Sequence, residues 1–512
     1  MNAALDTSSS FVLFFKAGQL MRTLPKFCCL SMLCFAFAAT AAEDQQSSSV
    51  VTKLSAPTIF PNPGTYFNTT ALALRHEVPD AQIHYTWDGS EPTASSATFD
   101  PRSVLFIQGL YEANKGLKTG YTLRAVAMKP GMEPSDPATF AYTIERRDRT
   151  AYVSEEVRPG VRMIRDSDND KMFLIRGSAR YALIDSGMGR GALREYVAQF
   201  TGGLPLVTIW THSHGDHIGQ ADQFIADSIE YVGEGDRDAV AEFLRGHGAS
   251  AQLIDQHLKS VSDGSKIDLG DHALEIVSVP GHTPGSIVIL DSASGNLFTG
   301  DSVGNNSPLP PDVLWMQRST EPLDMYLAAV RTARSMIGTR IRFILTGHND
   351  RPLVGTTYLD NLETALQRAM DEGAVALVPS YRPPGLQQIV VGDRLSDPNW
   401  FGININPQSF LPAPTDQIAS LTLIEVTGAT LTNRFTPNEH DYHAKVSSRG
   451  TVSIKVLPAS SRVRTVAIDG KTVKAGASAK ISFKGEAKTV PVVVTALDGK
   501  SVQTYRVTLE PA

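Results

Sequence analysis

Three kinds of hydrophobic patterning follow one another along the chain. From about residue 54 to 146, short apolar runs alternate with turn words such as Asn62-Pro63-Gly64, Asp88-Gly89 and Pro130-Gly131. That rhythm predicts a small antiparallel β-sandwich. From about 150 to 405, short apolar runs alternate with helical stretches. Strand candidates include Met172–Arg176, Tyr181–Ile184, Pro205–Trp210, Leu274–Val279, Ser286–Leu290 and Arg342–Leu345. Helix candidates include Gly191–Phe200, Arg237–Arg245, Pro322–Met336 and Tyr358–Met370. Some strand candidates follow one another with no helix between them, so the pattern predicts a layered α/β domain. From about 415 to 511 the period returns to two, as in Val452-Ser453-Ile454-Lys455-Val456 and Val492-Val493-Val494-Thr495-Ala496, with turns at Asp469-Gly470 and Asp498-Gly499. A second all-β sandwich is expected there.

The length of 512 residues suits about three domains. A chain that is 42% hydrophobic and 20% charged is neither fibrous nor disordered. The formal net charge of -6 argues against affinity built on neutralising many phosphates, so no nucleic-acid partner is expected. All three cysteines, Cys28, Cys29 and Cys34, lie near the N-terminus. The body of the protein therefore has no disulfide framework and no thiolate metal ligand.

The only strongly apolar run, Phe27 to Ala39, follows Arg22 and Lys26 and ends in Ala38-Ala39-Thr40-Ala41-Ala42. Basic, apolar and small segments in that order predict a signal peptide over residues 1–42, cleaved after Ala41 or Ala42. The run is too short to span a bilayer comfortably. Export to the periplasm or the medium is expected, with no transmembrane segment in the mature chain. Either Met1 or Met21 fits as the start. Residues 43–50 read as a polar linker.

The densest chemistry follows the strand Leu206–Trp210, in Thr211-His212-Ser213-His214-Gly215-Asp216-His217. Imidazole nitrogens and a carboxylate are suited to Zn²⁺. In extended chain His212 and His214 point the same way, and a turn at Gly215 lets Asp216 and His217 face a second ion. Further pieces stand at later strand ends: Pro280-Gly281-His282-Thr283-Pro284-Gly285-Ser286, Leu297-Phe298-Thr299-Gly300-Asp301 and Ile344-Leu345-Thr346-Gly347-His348. Upstream, Ala182-Leu183-Ile184-Asp185-Ser186-Gly187 ends a strand in an acid. The remaining histidines, His76, His84, His247, His257, His272, His440 and His443, read as exposed or structural.

In this order the words LIDSG, THSHGDH, PGHTPGS, FTGD and TGH resemble the metallo-β-lactamase superfamily over about residues 155–375. The resemblance implies an αββα sandwich with a dinuclear site at the edge of its two sheets. It implies that His212, His214 and His282 hold one metal, that Asp216, His217 and His348 hold the other, and that Asp301 bridges them. It implies that Asp185 orients a ligand. Two Zn²⁺ per chain are expected, though iron or manganese would also fit. The words IHYTWDGSEPT and YTLRAVAMKPGMEPS resemble the C-terminal β-sandwich of chitobiases and β-hexosaminidases. The series LTLIEVTGATL, VAIDGKTV and ALDGKSVQTYRVTL resembles a cadherin-like β-sandwich. The expected architecture is thus a signal peptide (1–42), a chitobiase-like sandwich (54–146), a metallo-β-lactamase fold domain (150–405) and a cadherin-like sandwich (415–511).

Two cations bridged by a carboxylate can share a solvent molecule and lower its pKa, giving a hydroxide that attacks an electrophile. Asp216 is placed to hold that hydroxide and take its proton. In the family that these motifs resemble, an aspartate at the bridging position implies ester, thioester or lactone hydrolysis, so the expectation is an exported metal-dependent hydrolase of such a small molecule. Hydrolysis of β-lactams is an alternative. Another is a carbohydrate-associated binding protein with an accessory metal domain. Tyr85 and Trp87 are candidates for glycan contact, and the two sandwiches for glycan or cell-surface contact. The segment Ser302–Thr320, with Trp315, Met316 and Arg318, and the stretch Gln387–Asn406, with Trp400, are candidate pocket walls. All seven candidate ligands lie between His212 and His348, so the central domain is expected to fold and bind metal without its flanks.

Overall fold

The computed structural model describes residues 52–67, 69–100, 105–108, 118–145, 150–305, 314–315, 322–379, 387–392, 401–405 and 411–512. The signal-peptide reading, both candidate start sites and the three cysteines lie outside the described residues, as do Met316, Arg318 and Trp400. Among the described residues no helix is long and apolar enough to cross a membrane.

Two sheets form the heart of the central domain. The first has seven strands, each beside the next: β1 (Val153–Arg158), β2 (Val161–Arg165), β3 (Lys171–Arg176), β4 (Tyr181–Ile184), β5 (Leu206–Trp210), β6 (Ile229–Gly233) and β7 (Leu258–Val261). The pairs from β1 to β4 are antiparallel, and β4 to β7 run parallel. The parallel steps need crossovers. Helices α1 (Leu193–Thr201), α3 (Arg237–Gly246) and α4 (Ala251–His257) lie on them, and a one-turn helix α2 (Gly215–Ile218) follows β5. The second sheet runs β8 (Lys266–Asp268), β9 (Ala273–Ser278), β10 (Ile287–Asp291), β11 (Asn296–Gly300), β12 (Phe343–Thr346) and β13 (Leu353–Val354). Its one parallel pair, β11 with β12, is spanned by a connection that contains α5 (Leu323–Ile337). Helix α6 (Thr357–Glu372) follows β13.

The strand period of two sorts side chains into layers. Phe173, Ile175, Ile184 and Ile209 of the first sheet meet Ile276, Ile289 and Phe298 of the second. The alternate residues Met172, Leu174, Leu183 and Trp210 face Leu193, Val197 and Val240 of the helices. On the far side, Val277, Val288, Leu290 and Leu297 pack on Leu327, Val330, Leu362 and Leu366 of α5 and α6. Both faces of both sheets are covered, which is why β3 and β10 read as near-continuous apolar runs and every residue of β11 is buried. The result is an αββα sandwich, the fold that the motifs imply. Where the sequence suggests a bare turn at Gly215, the chain winds into α2, with His214 as its extended N-cap residue.

The N-terminal module packs a three-stranded sheet and a five-stranded sheet around Leu72, Ile83, Leu123 and Tyr142. Among its described strands the pairing is antiparallel except for Thr65–Phe67, which runs parallel to Ala138–Glu145. Tyr85 packs against the core, while Trp87 is exposed. His84, buried rather than exposed, turns its ring to the carbonyl of Ser96. The C-terminal module has a three-stranded and a six-stranded sheet, again with one parallel pair, Asp441–Val446 with Val502–Pro511. Asp469 and Gly470 both take positive φ, the geometry that a tight two-residue hairpin needs.

The C-terminal module does not hang from the central domain by a linker. Ile418 and Ala459 enter the core around α5 and α6, and Ala328 of α5 enters the C-terminal core. Arg331, buried in α5, donates to Glu363 and Gln367 on α6, to Thr422 and to the carbonyl of Pro458. Ser420 donates to Asp324, and Ser461 to Asp371. The ligand set of the central domain is self-contained, while its apolar core is shared with the C-terminal module.

Candidate metal centre

The candidate ligands stand at the ends of β5, β9, β11 and β12, where strands give way to loops at one edge of the two sheets. They form two groups. In the first, Nε2 of His212 lies 3.2 Å from Nδ1 of His214 and 3.2 Å from Nε2 of His282. Three ring nitrogens thus converge on one point. In the second, Asp301 Oδ1 lies 3.4 Å from Nε2 of His217 and 3.3 Å from Nε2 of His348. Asp216 Oδ2 stands 3.9 and 3.7 Å from the same two nitrogens. The other oxygen of Asp301, Oδ2, is 3.8 Å from Nε2 of His282. One carboxylate therefore faces both groups. Within each group the donor atoms all lie within 4.8 Å of one another.

Charge and burial suit this set to cations. Burial, with the neighbouring rings of His217 and His282, holds His212 well below its usual range. Burial, with His282 beside it, brings His214 down to about 4. Both rings are neutral at pH 7 and offer lone pairs. Burial alone would lower His217 too, but Asp301, Asp185 and Asp216 outweigh it and raise it well above its usual range. Burial likewise opposes the Asp301 carboxylate, yet His348 and His217 hold it well below its usual range. A centre that draws positive charge among three carboxylates is one where a divalent cation can displace a proton. The decisive observation is that, among the described residues, the Nε2 atoms of His217 and His348 are buried without a well-formed hydrogen bond and point at Asp301 from 3.4 and 3.3 Å. A buried polar atom left unpaired is costly, and a coordinated metal would satisfy both. The seven residues fit a pair of divalent cations.

Residues around the ligands hold them in place. Asp185, at φ 60°, accepts from Thr211 N and Oγ1 at 2.8 Å each, and its Oδ2 meets Nδ1 of His217 at 2.7 Å. Sequence reasoning missed three more. Asp236 accepts from Ser213 N, Thr283 Oγ1 and Gly285 N at 2.6 to 2.8 Å, tying the His214 loop to the His282 loop. Asn305 donates to Asp301 Oδ1 at 3.1 Å and accepts from His348 N at 3.1 Å. Asp170 Oδ1 lies 3.4 Å from Nδ1 of His348. Only their place near the motif words could have flagged them. Gly347 leaves room for the ligands: a Cβ there would sit 2.7 Å from His217 Cε1 and 2.8 Å from Asp301 Oδ1.

Residues 171–348 match the family model described as the metallo-beta-lactamase superfamily. The central domain is a metallo-β-lactamase domain. Residues 61–139 match the chitobiase/beta-hexosaminidase C-terminal domain, and residues 418–510 the cadherin-like beta sandwich domain. The chain is 29% identical over 177 residues to a human protein named acyl-coenzyme A thioesterase MBLAC2, covering 28% of this chain and 62% of that one. It is 30% identical over 142 residues to a hydroxyacylglutathione hydrolase of Xanthomonas axonopodis pv. citri, covering 27% of this chain and 47% of that one. The chain thus spans less than two thirds of the length of these curated relatives. Among solved structures, a beta-lactamase domain protein from Burkholderia ambifaria aligns at 22% identity and a TM-score of 0.34, covering 44% of this chain and 75% of that one.

Proposed function

We propose that the metallo-β-lactamase domain is a dinuclear-metal hydrolase, acting on a small ester, thioester or lactone. The observation that carries this reading is the pair of donor groups joined by Asp301, with buried Nε2 atoms of His217 and His348 that make no well-formed hydrogen bond among the described residues. His212, His214 and His282 would hold one cation, and Asp216, His217 and His348 the other, with Asp301 between them. When bound, two such cations acidify a water and polarise the electrophile's oxygen.

The chain's own residues do the rest. Asp185 fixes the His217 ring and Asn305 the Asp301 carboxylate, so that part of the site is preorganised. Asp216, whose side chain is 30% exposed at the head of α2, is the carboxylate that can pass a proton between the site and solvent. The described part of the chain after residue 51 contains no cysteine, so no thiol nucleophile competes. The names of the two relatives, an acyl-coenzyme A thioesterase and a hydroxyacylglutathione hydrolase, support the ester and thioester class.

We take zinc as the metal and export as the destination, the latter on the basic, apolar and small segments of residues 22–42. Glycan contact through the chitobiase-like module is part of the same proposal, resting on exposed Trp87. The test is a hydrolysis panel on metal-loaded full chain: lactones, thioesters, phosphodiesters and β-lactams. Chelator-sensitive turnover of the first two classes is expected. Turnover confined to β-lactams or phosphodiesters would reject the substrate class.

A further inference from the structure

A cavity of about 440 Å³ opens directly beside the first histidine group. His214 and His282 form one end of it. Its size lies toward the lower end of the roughly 300–1,000 Å³ of small-molecule sites. The side walls come from two domains. Met325 and Ala329 of α5 form one, and Thr436 and Pro437 of the C-terminal sandwich form the other.

That second wall is rigid, and it is fixed to the catalytic domain. Arg434 donates to Asp263 and, at 2.6 Å, to the carbonyl of Ser278, the last residue of β9 before the turn that carries His282. Phe435 is buried and stacks on Tyr442 with ring centroids 5.3 Å apart. The Tyr442 hydroxyl donates to Thr436 O at 2.6 Å, and Tyr505 donates to Pro437 O at 3.1 Å. The loop 434–437 is therefore held at both ends, by its own sandwich and by the strand that positions a candidate ligand. Its only charged side chain, Arg434, is neutralised by Asp263, so the wall presents no free charge to a ligand. With Pro280, Pro284, Met325 and Ala329 opposite, the lining is mostly apolar.

We propose that the 434–437 loop of the C-terminal sandwich is a specificity wall of the substrate pocket, and that the pocket takes an unbranched apolar arm of the substrate, the acyl chain of an ester or thioester. The proposal rests on the hydrolase reading above and adds the substrate's acyl class. It also gives the C-terminal module a role in substrate choice. An apolar chain gains by leaving water for such a lining, while a sugar or charged group would lose hydrogen bonds there.

The test uses the full, zinc-loaded chain and p-nitrophenyl esters from acetyl to octanoyl. In the wild type kcat/KM is expected to rise by about fourfold for each added methylene until the cavity is full. Thr436→Trp fills the cavity from the C-terminal side and should cut the octanoyl-to-acetyl ratio of kcat/KM by roughly tenfold or more. Met325→Ala enlarges it and should move the optimum to a longer chain. Equilibrium binding of 2-decanone, a ketone that cannot be hydrolysed, supplies a readout independent of turnover, and Thr436→Trp should weaken it by roughly tenfold. If the ketone binds and responds to Thr436→Trp while no ester is turned over, the hydrolase reading fails and the pocket stands. If esters are turned over with rates indifferent to chain length and to both substitutions, the pocket assignment is overturned and the hydrolase reading stands. Preference for acetylated sugars over octanoyl esters would likewise overturn it.

Discussion

Asp185 Oδ2 lies 2.7 Å from Nδ1 of His217, and this contact decides which nitrogen of that ring faces Asp301. The aspartate reaches it from a left-handed backbone conformation, φ 60°, immediately after β4. Asparagine tolerates that conformation, so Asp185→Asn should keep the fold. It should lower affinity for the second cation by about 10–100-fold, since the ring loses a charged partner. Titration of metal-stripped protein with zinc checks this; unchanged affinity at both sites would remove Asp185 from the account.

His282→Ala and His348→Ala should weaken different cations, because they belong to different groups. Asp301→Ala should affect both, because its oxygens face His282 on one side and His217 and His348 on the other. Two cations with one negative bridge fewer repel each other with less shielding. Metal content of the three variants after dialysis should read one, one, and one or less. Full loading of Asp301→Ala would contradict the bridging role.

Glu230 gives a pH dependence outside the metal centre. It is buried in β6 with Trp210 Nε1 donating to it at 3.0 Å, and burial raises its carboxyl from 4.5 to about 8. A folded-state pKa above the unfolded one means stability that is fully present below about 4.5 and is lost as pH rises through about 8. The loss is on the order of a few kcal/mol. Melting temperatures of wild type and Glu230→Gln should therefore diverge between pH 5 and pH 8.5, the variant gaining at the higher value. Parallel curves would show that Glu230 titrates normally.

Arg331→Ala should loosen the central domain from the C-terminal sandwich. The substitution strips partners from Glu363, Gln367, Thr422 and the Pro458 carbonyl in a buried setting. A cost of about 3 kcal/mol is expected in urea unfolding. An unchanged midpoint would mean that the shared apolar core alone holds the two modules.

The sequence reveals the ligands because each sits in a short word at a strand end, where period-two burial stops and polar residues begin. His212, His214, Asp216 and His217 fall within one six-residue stretch that runs from the end of β5 into α2, and His282, Asp301 and His348 each follow an apolar strand. Asp236 was not legible, because its partner Thr283 lies 47 residues away and a lone acid in a turn carries no pattern. Asn305 and Asp170 were hidden for the same reason. The two sandwiches were legible from alternation and Asp-Gly turns, but not their parallel pairs, since alternation does not encode strand direction. Nor was the approach of Arg434 to Ser278, 156 residues apart, which brings the C-terminal module to the edge of the site.

The central claim is a two-cation hydrolytic centre, and the metal stoichiometry of the full chain tests it most directly. Zinc should titrate into chelator-stripped protein with two equivalents per chain, and elemental analysis after dialysis should return the same number. Saturation at one equivalent or none, in protein whose fold is intact, would contradict the account.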